Sequence, residues 1–322
     1  MKKLYRISET NSLDRIDYGD YDWTEITKPS LGELAMVKKR TGLDPDTAKL
    51  ILSSHESNRI SGLTDTNKPL MIIMQYPIKT ESKFGDYREY DTSPIICILT
   101  NDTDKNDIIT LSNKEPNFIK QIQKDTQNLK VPLNNKKDII LLIIYYMAKE
   151  YNAILSLLNS DTTDIENKLK DATNNKILYH MMSIQKTIAS FLDSLADNER
   201  ICNKIISDSN YFKNEKYVQL ATLASVELGE ASELAKHLDY ILEKYSNLIS
   251  SIVSNNQSKT INKFTKWNTL TGVVGASFGG LGINYMLPEE KSPYAFLVIS
   301  GTLLLVTIIL GIYIDHILKN EG

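Results

Sequence analysis

The chain has 322 residues, with 37 Lys and Arg against 40 Asp and Glu and a net charge of −3; without a basic excess it lacks the electrostatic footprint of a nucleic-acid binder. Its two cysteines, Cys97 and Cys202, are far apart and fit no CxxC spacing, which argues against a disulfide framework or a thiolate metal site and leaves both as small buried hydrophobes. The mean hydropathy of −0.25 is that of a soluble protein, but it averages unlike parts: no charge lies between Lys266 and Glu289, and none between Lys291 and Asp315.

At roughly 150 residues per domain the length predicts about two domains. The stretch Met1 to Arg6 is basic and runs into polar residues without an apolar core, so it does not read as a signal peptide, and the chain is expected to start in the cytosol. Through residue 115, short apolar runs alternate with turn residues. Pro69 to Ile78, Pro94 to Thr100 and Asp107 to Leu111 read as strands. Ser30 followed by Glu33 has the spacing of a capping box, which predicts a helix over 30–40 stopped by Gly42; a second helix is predicted over 46–55. The result is an α+β domain with a small sheet.

From 116 to 258 the strand signal vanishes and apolar residues recur every three or four positions. Leu220, Leu223, Leu228, Leu234, Leu238, Ile241, Leu242, Tyr245, Leu248 and Ile252 mark one amphipathic helix, and no proline occurs between Pro132 and Pro288. A continuous helix from Lys216 to Leu281 would be about 100 Å long at ~1.5 Å per residue, the length of a stalk rather than of a compact domain.

Ser292 to Ile314 is uncharged and apolar, long enough to cross a hydrocarbon core of ~30 Å. Trp267 to Ile283 is also uncharged but rich in Gly, Ser, Thr and Asn. On a helix, Asn268, Gly272, Gly275, Gly279 and Gly282 fall on one face, and Trp267, Leu270, Val274, Ser277 and Leu281 on the other. A membrane helix with one small or polar face either packs closely on other helices, as Gly275-x-x-x-Gly279 allows, or lines water. Lys259, Lys263 and Lys266 precede the first span and Lys319 follows the second, whereas Glu289, Glu290 and Lys291 sit in the connector. The positive-inside rule then predicts a multi-pass protein of the cell membrane with both termini cytosolic. Two helices cannot enclose a water path, so transport would need a ring of subunits.

The connector reads Gly282-Ile283-Asn284-Tyr285-Met286-Leu287-Pro288-Glu289-Glu290. It resembles the Gly-Met-Asn signature and Met-Pro-Glu-type loop of the CorA magnesium-transporter family. Trp23-Thr24-Glu25-Ile26, Lys28-Pro29-Ser30, Glu33-Leu34 and Gly42-Leu43-Asp44-Pro45 are similar to the family's N-terminal pattern, with His55 and Arg59 where that pattern continues. The resemblance covers essentially the whole chain.

It implies a homopentamer with a cytosolic funnel and a pore lined by the first transmembrane helix. The expected layout is an α/β domain over 1–115, a helical region and stalk over 116–258, the pore helix over 259–283, an external loop over 284–293, a second span over 294–314 and a tail over 315–322. By resemblance, Asn284 forms a ring at the outer mouth and meets the hydrated divalent cation. Mg²⁺ gives up its water reluctantly and prefers oxygen ligands, so amide carbonyls can hold its hydration shell without stripping it. Gly282 would let the backbone turn. Glu289 and Glu290 would either concentrate cations or simply keep an exposed loop soluble. Ile283 departs from the signature Met, so ion selectivity does not carry over. The stripe of Asn268, Gly272, Gly275 and Gly279 is richer in glycine than the family's hydrophobic gates, which moves the expected apolar constriction down to Ile261 and Phe264.

Asp102, Asp104 and Asp107 mimic a calcium loop but lack its Gly and Glu, and read as a turn. The four histidines are dispersed and none is on the stripe. The family's regulatory metal site cannot be placed on particular residues. No nucleotide-binding or nucleophile motif points to an enzyme or a cofactor. Three readings follow: a channel-like transporter of divalent cations, Mg²⁺ first; a carrier of Zn²⁺, Co²⁺ or Ni²⁺, with or without proton coupling; and a membrane-anchored interaction protein. The partners are the lipid bilayer, divalent metal ions and further copies of the chain, without nucleic acid.

Overall fold

The structure is a computed structural model. It describes residues 1–53, 58–63, 65, 68–83, 85–100, 107–127, 133, 135–168, 175–208, 212, 214–281 and 294–320, with side chains left out at 208, 276–278, 280, 281, 295, 296, 299, 300, 303 and 314–320. The chain divides into two units, Met1–Tyr245 and Ser246–Gly322.

The first unit is built on a seven-stranded sheet. Its strands are β1 (Lys2–Ile7), β2 (Leu13–Ile16), β3 (Trp23–Thr27), β4 (Arg59–Ser61), β5 (Leu70–Thr80), β6 (Glu89–Leu99) and β7 (Ile108–Ser112). They lie in the order β2-β1-β3-β7-β6-β5-β4, antiparallel throughout except for the parallel β3–β7 pair. The sheet is larger than the small one expected, because β1, β2 and β4 carry charged residues that hide an alternating pattern. Residues 1–6 are the clearest case. Lys2-Lys3-Leu4-Tyr5-Arg6 looks solvated in sequence, yet Tyr5 is buried and stacks on Trp23 at 4.7 Å between ring centroids.

Helix α1 (Leu31–Thr41) starts at Ser30, whose hydroxyl accepts from the Glu33 N–H while the Glu33 carboxylate accepts from the Ser30 N–H. It ends at Gly42, where φ is 73°, a left-handed conformation that glycine adopts without Cβ strain. Helix α2 (Pro45–Ser53) follows; His55 lies outside the described residues. Leu34 and Val37 of α1 and Ala48, Ile51 and Leu52 of α2 pack on Ile26, Ile73, Ile96, Ile98, Ile109 and Leu111. Because side chains alternate across a strand, Tyr76 points to the other face. There its ring meets Phe118 of α3 (Asn117–Gln127) edge-on at 6.0 Å.

That second face is covered by α4 (Lys136–Lys168) and α5 (Asn175–Asp208). Helix α4 is long and apolar enough to cross a membrane, but most of its apolar stretch is buried in the protein, including Ile139 to Ile144, Met147 and Tyr151. It is the core helix of this unit. Helix α5 docks differently, through small polar residues. Among the described residues β4 pairs with Met71–Ile73 of β5 and stops there, and β7 pairs with Ile95–Leu99 of β6 and stops there, so beyond those points the outer edges of the β5–β6 pair carry no further strand. Thr187 accepts the Tyr90 N–H at 3.0 Å, and Asn198 pairs with both the N–H and the carbonyl of Gln75. Ser183, one turn before Thr187, donates to the Arg88 carbonyl, and Ser190 and Ser194 between Thr187 and Asn198 donate to the side chains of Asp91 and Thr92. These bonds satisfy an edge that would otherwise be open to pairing.

Helix α6 (Glu215–Leu281) has 67 residues, matching the single long helix predicted from the apolar period. Within the first unit it is held to α4 by Lys216, whose ammonium is 2.9 Å from the buried Asp138 carboxylate, and by Asn152, which donates to Glu227. Ala221, Ala224, Ala231 and Ala235 are buried, the small residues that let helices approach closely. The second unit contains the rest of α6 and helix α7 (Ala295–Asn320).

Candidate functional site

The residues expected to line a pore lie on α6 in the second unit. Ile261 and Phe264 are 53% and 64% exposed, and Asn268, Gly272, Gly275 and Gly279 are exposed as well. Among the described residues, a Cβ built on Gly272, Gly275 or Gly279 would meet nothing within 4 Å. The opposite side is occupied. A Cβ on Gly311 of α7 would sit 3.2 Å from Cδ2 of Leu270, so the two helices touch there. Leu270 lies roughly 140–160° round α6 from Asn268, Gly272 and Gly275 at 100° per residue. Within one chain, therefore, the glycine stripe is not what α6 uses to meet α7 at these positions. Gly311 was not singled out in the sequence; its signal there is a small residue inside the second uncharged run.

Three threonines of these helices bond to their own helix backbone. Thr269 and Thr271 donate to the carbonyls of Thr265 and Trp267, and Thr302 donates to Val298. Such back-bonding lets a hydroxyl sit in an apolar medium without a free donor. Gly282, Ile283, Asn284, Glu289 and Glu290 lie outside the described residues, as do Asp102 and Asp104.

The other sequence candidates take structural places. Asp107 is fully buried, 2.8 Å from the Arg40 guanidinium and 3.3 Å from the Lys136 ammonium. It ties α1 and the start of α4 to the sheet, and both cations already neutralise it. His180 stacks on Tyr87 at 4.6 Å, and burial holds its pKa below the usual histidine range. Cys97 and Cys202 are buried free thiols, as expected, and burial pushes both up to about 12, so neither supplies a thiolate. Among the described residues no three His, Cys, Asp or Glu side chains gather as a metal site.

The profile of the family described as "CorA-like Mg2+ transporter protein" matches residues 18–316. The chain belongs to that family. Its members are transporters and integral membrane proteins, and the CorA-like fold accounts for the α/β unit and the long α6. The complete structure of the CorA magnesium transporter from Methanocaldococcus jannaschii superposes with a TM-score of 0.79 at 17% identity, over 98% of this chain and 96% of that one. Full-length CmaX superposes with a TM-score of 0.72 at 13% identity, over 97% and 98%. The cytoplasmic domain of ZntB from Vibrio parahaemolyticus gives 0.58 at 11% identity, over 79% and 98%. At such identities these likenesses carry the CorA fold alone. No curated protein matches the chain by sequence.

Proposed function

We propose that this CorA-family transporter conducts hydrated divalent cations, Mg²⁺ first, down their electrochemical gradient through a homopentameric pore. The two uncharged segments are its membrane spans, with Trp267 to Ile283 facing the pore and Ser292 to Ile314 facing lipid. The observation that carries this reading is the division of α6 into two sides: Leu270 meets Gly311 of the second span, while Gly272, Gly275 and Gly279 face open space. In a ring of subunits that open side is the one left to face the axis. Glycine there leaves room for an ion that keeps its water, and backbone carbonyls with the Asn268 amide offer it oxygen.

At the outer end Asn284 forms the entry ring, its amide carbonyls accepting from water bound to the ion. Stripping Mg²⁺ is costly, so recognition through its hydration shell is the less expensive route. Glu289 and Glu290 raise the local cation concentration. At the inner end Ile261 and Phe264 form an apolar ring that closes by expelling water. The full departure from the family signature is Ile283, which is the reason to test transition metals beside Mg²⁺.

Uptake of Mg²⁺, Co²⁺, Ni²⁺ and Zn²⁺ into proteoliposomes, with and without a pH gradient, tests the choice of ion. Mg²⁺ flux indifferent to the pH gradient supports the proposal; flux of Zn²⁺ alone, driven by protons, replaces it with the carrier reading. A detergent-solubilised particle near five times the 36.5 kDa chain mass supports the ring, and a stable monomer excludes it.

A further inference from the structure

Lys259 and Lys263 of α6 have no acidic residue three or four positions away along the helix. Between Glu243 and Glu289 the sequence holds Lys244, Lys259, Lys263 and Lys266 and no Asp or Glu. At 1.5 Å per residue, Glu243 is about 24 Å along the helix from Lys259. Intrahelical ion pairs need a spacing of three or four residues, so none can form here. Lys259 and Lys263 are exposed, and Lys266 follows three positions on. At 100° per residue the three fall within about 60° of one another. That face is the one on which Leu270 meets Gly311; Ile261 and Phe264 are on the opposite face of the same turns. Trp267 stands at this level, 68% exposed, and an indole beside lysines at the edge of an uncharged helix is the composition of a headgroup boundary.

We propose that Lys259 and Lys263 bind the headgroup phosphates of anionic phospholipids, an inference that rests on the reading of Trp267 to Ile283 as a membrane span. The lysine stems run along the helix and bring each ammonium to the phosphate level. Headgroup phosphate supplies the counter-charge that the helix itself lacks, and the attraction is additive over lysines near the surface. The lipid thus grips the outer face of the two turns whose inner face carries the proposed constriction. Headgroup charge thereby fixes the depth of Ile261 and Phe264 in the membrane.

The chain carries its own probe. Trp23 is fully buried in the sheet and Trp267 is exposed, and these are its two tryptophans. The full-length protein is reconstituted in phosphatidylcholine vesicles containing either brominated phosphatidylglycerol or brominated phosphatidylcholine, and bromine quenching reports the lipid beside Trp267. The expected result is a preference for phosphatidylglycerol on the order of tenfold, reduced by high salt. The preference should vanish in the double variant Lys259→Gln/Lys263→Gln and persist in Lys259→Arg/Lys263→Arg, both with unchanged helix content by circular dichroism. Wild-type protein without a preference, or a Gln variant that keeps it, or an Arg variant that loses it, overturns the lysine–headgroup contact. Absence of quenching by either lipid overturns the placement of the span, and the inference with it.

Discussion

Asn198 treats Gln75 as a neighbouring strand would: its Nδ2 donates to the Gln75 carbonyl at 2.8 Å, and its Oδ1 accepts the Gln75 N–H at 3.2 Å. The same Oδ1 accepts from Asn58 at 2.7 Å, and Tyr151 donates to the Gln75 carbonyl at 3.0 Å. One buried amide on α5 therefore closes the free edge of β5 where β4 has already ended. A buried polar group left without a partner costs about 1–3 kcal/mol.

Asn198→Leu should therefore destabilise the α/β unit by about 2–4 kcal/mol, because both the N–H and the carbonyl of Gln75 lose a partner in a site that excludes water. Urea unfolding followed through the buried Trp23 measures it. A midpoint equal to the wild type would show that Gln75 finds other partners.

Glu150 gives a pH dependence. Its carboxyl is largely buried beside α3, and desolvation raises its pKa even though the Asn117 amide and the Phe118 N–H bond to it. A carboxyl whose folded pKa is raised binds more protons folded than unfolded, so its contribution is present below the unfolded pKa and is lost as pH rises through the folded value. Glu150→Gln should accordingly be more stable than wild type at pH 7, with the difference shrinking as pH falls toward 4. Unfolding curves at several pH values check the sign, and an unchanged difference across that range would refute it.

Gly311 and Leu270 test the contact between α6 and α7. A Cβ on Gly311 already comes 3.2 Å from Leu270, tighter than ordinary packing. Gly311→Leu should cost about 1–3 kcal/mol through overpacking, and adding Leu270→Ala should recover part of it. Thermal stability of the detergent-solubilised protein reports both changes. Additive losses in the double variant would mean that the two residues do not meet.

Phe264→Ala tests the inner constriction. Removing the ring from an apolar gate lets water remain in it, so resting Mg²⁺ leak in proteoliposomes should rise several-fold while assembly is unchanged. Leak equal to the wild type would move the gate elsewhere on α6.

Much of this architecture was legible because its signals are local. Ser30, Glu33 and Gly42 specify both ends of α1 through bonds that span three or four residues, and the continuous apolar runs of β5, β6 and β7 need no partner to be recognised. The two sides of α6 follow from period alone. Strands β1, β2 and β4 were illegible for the converse reason: Lys3, Arg6, Arg15 and Arg59 mask them, and only pairing with the adjacent strand of the sheet makes them strands. The Ser, Thr and Asn stripe of α5 likewise reads as a solvated face until the free edges of β5 and β6 are placed against it. Lys259 and Lys263 were visible as topology signals, but their solitude on the helix acquires meaning only beside the Leu270–Gly311 contact, which fixes the side they occupy.

The central claim is that Asn284 admits hydrated Mg²⁺ to a pore, and Mg²⁺ uptake into proteoliposomes by wild-type protein and Asn284→Ala tests it most directly. Wild-type uptake that falls at least about tenfold in the variant, a loss on the order of 1.4 kcal/mol or more, with oligomer mass retained, is the predicted result. Equal uptake by the two proteins would contradict it.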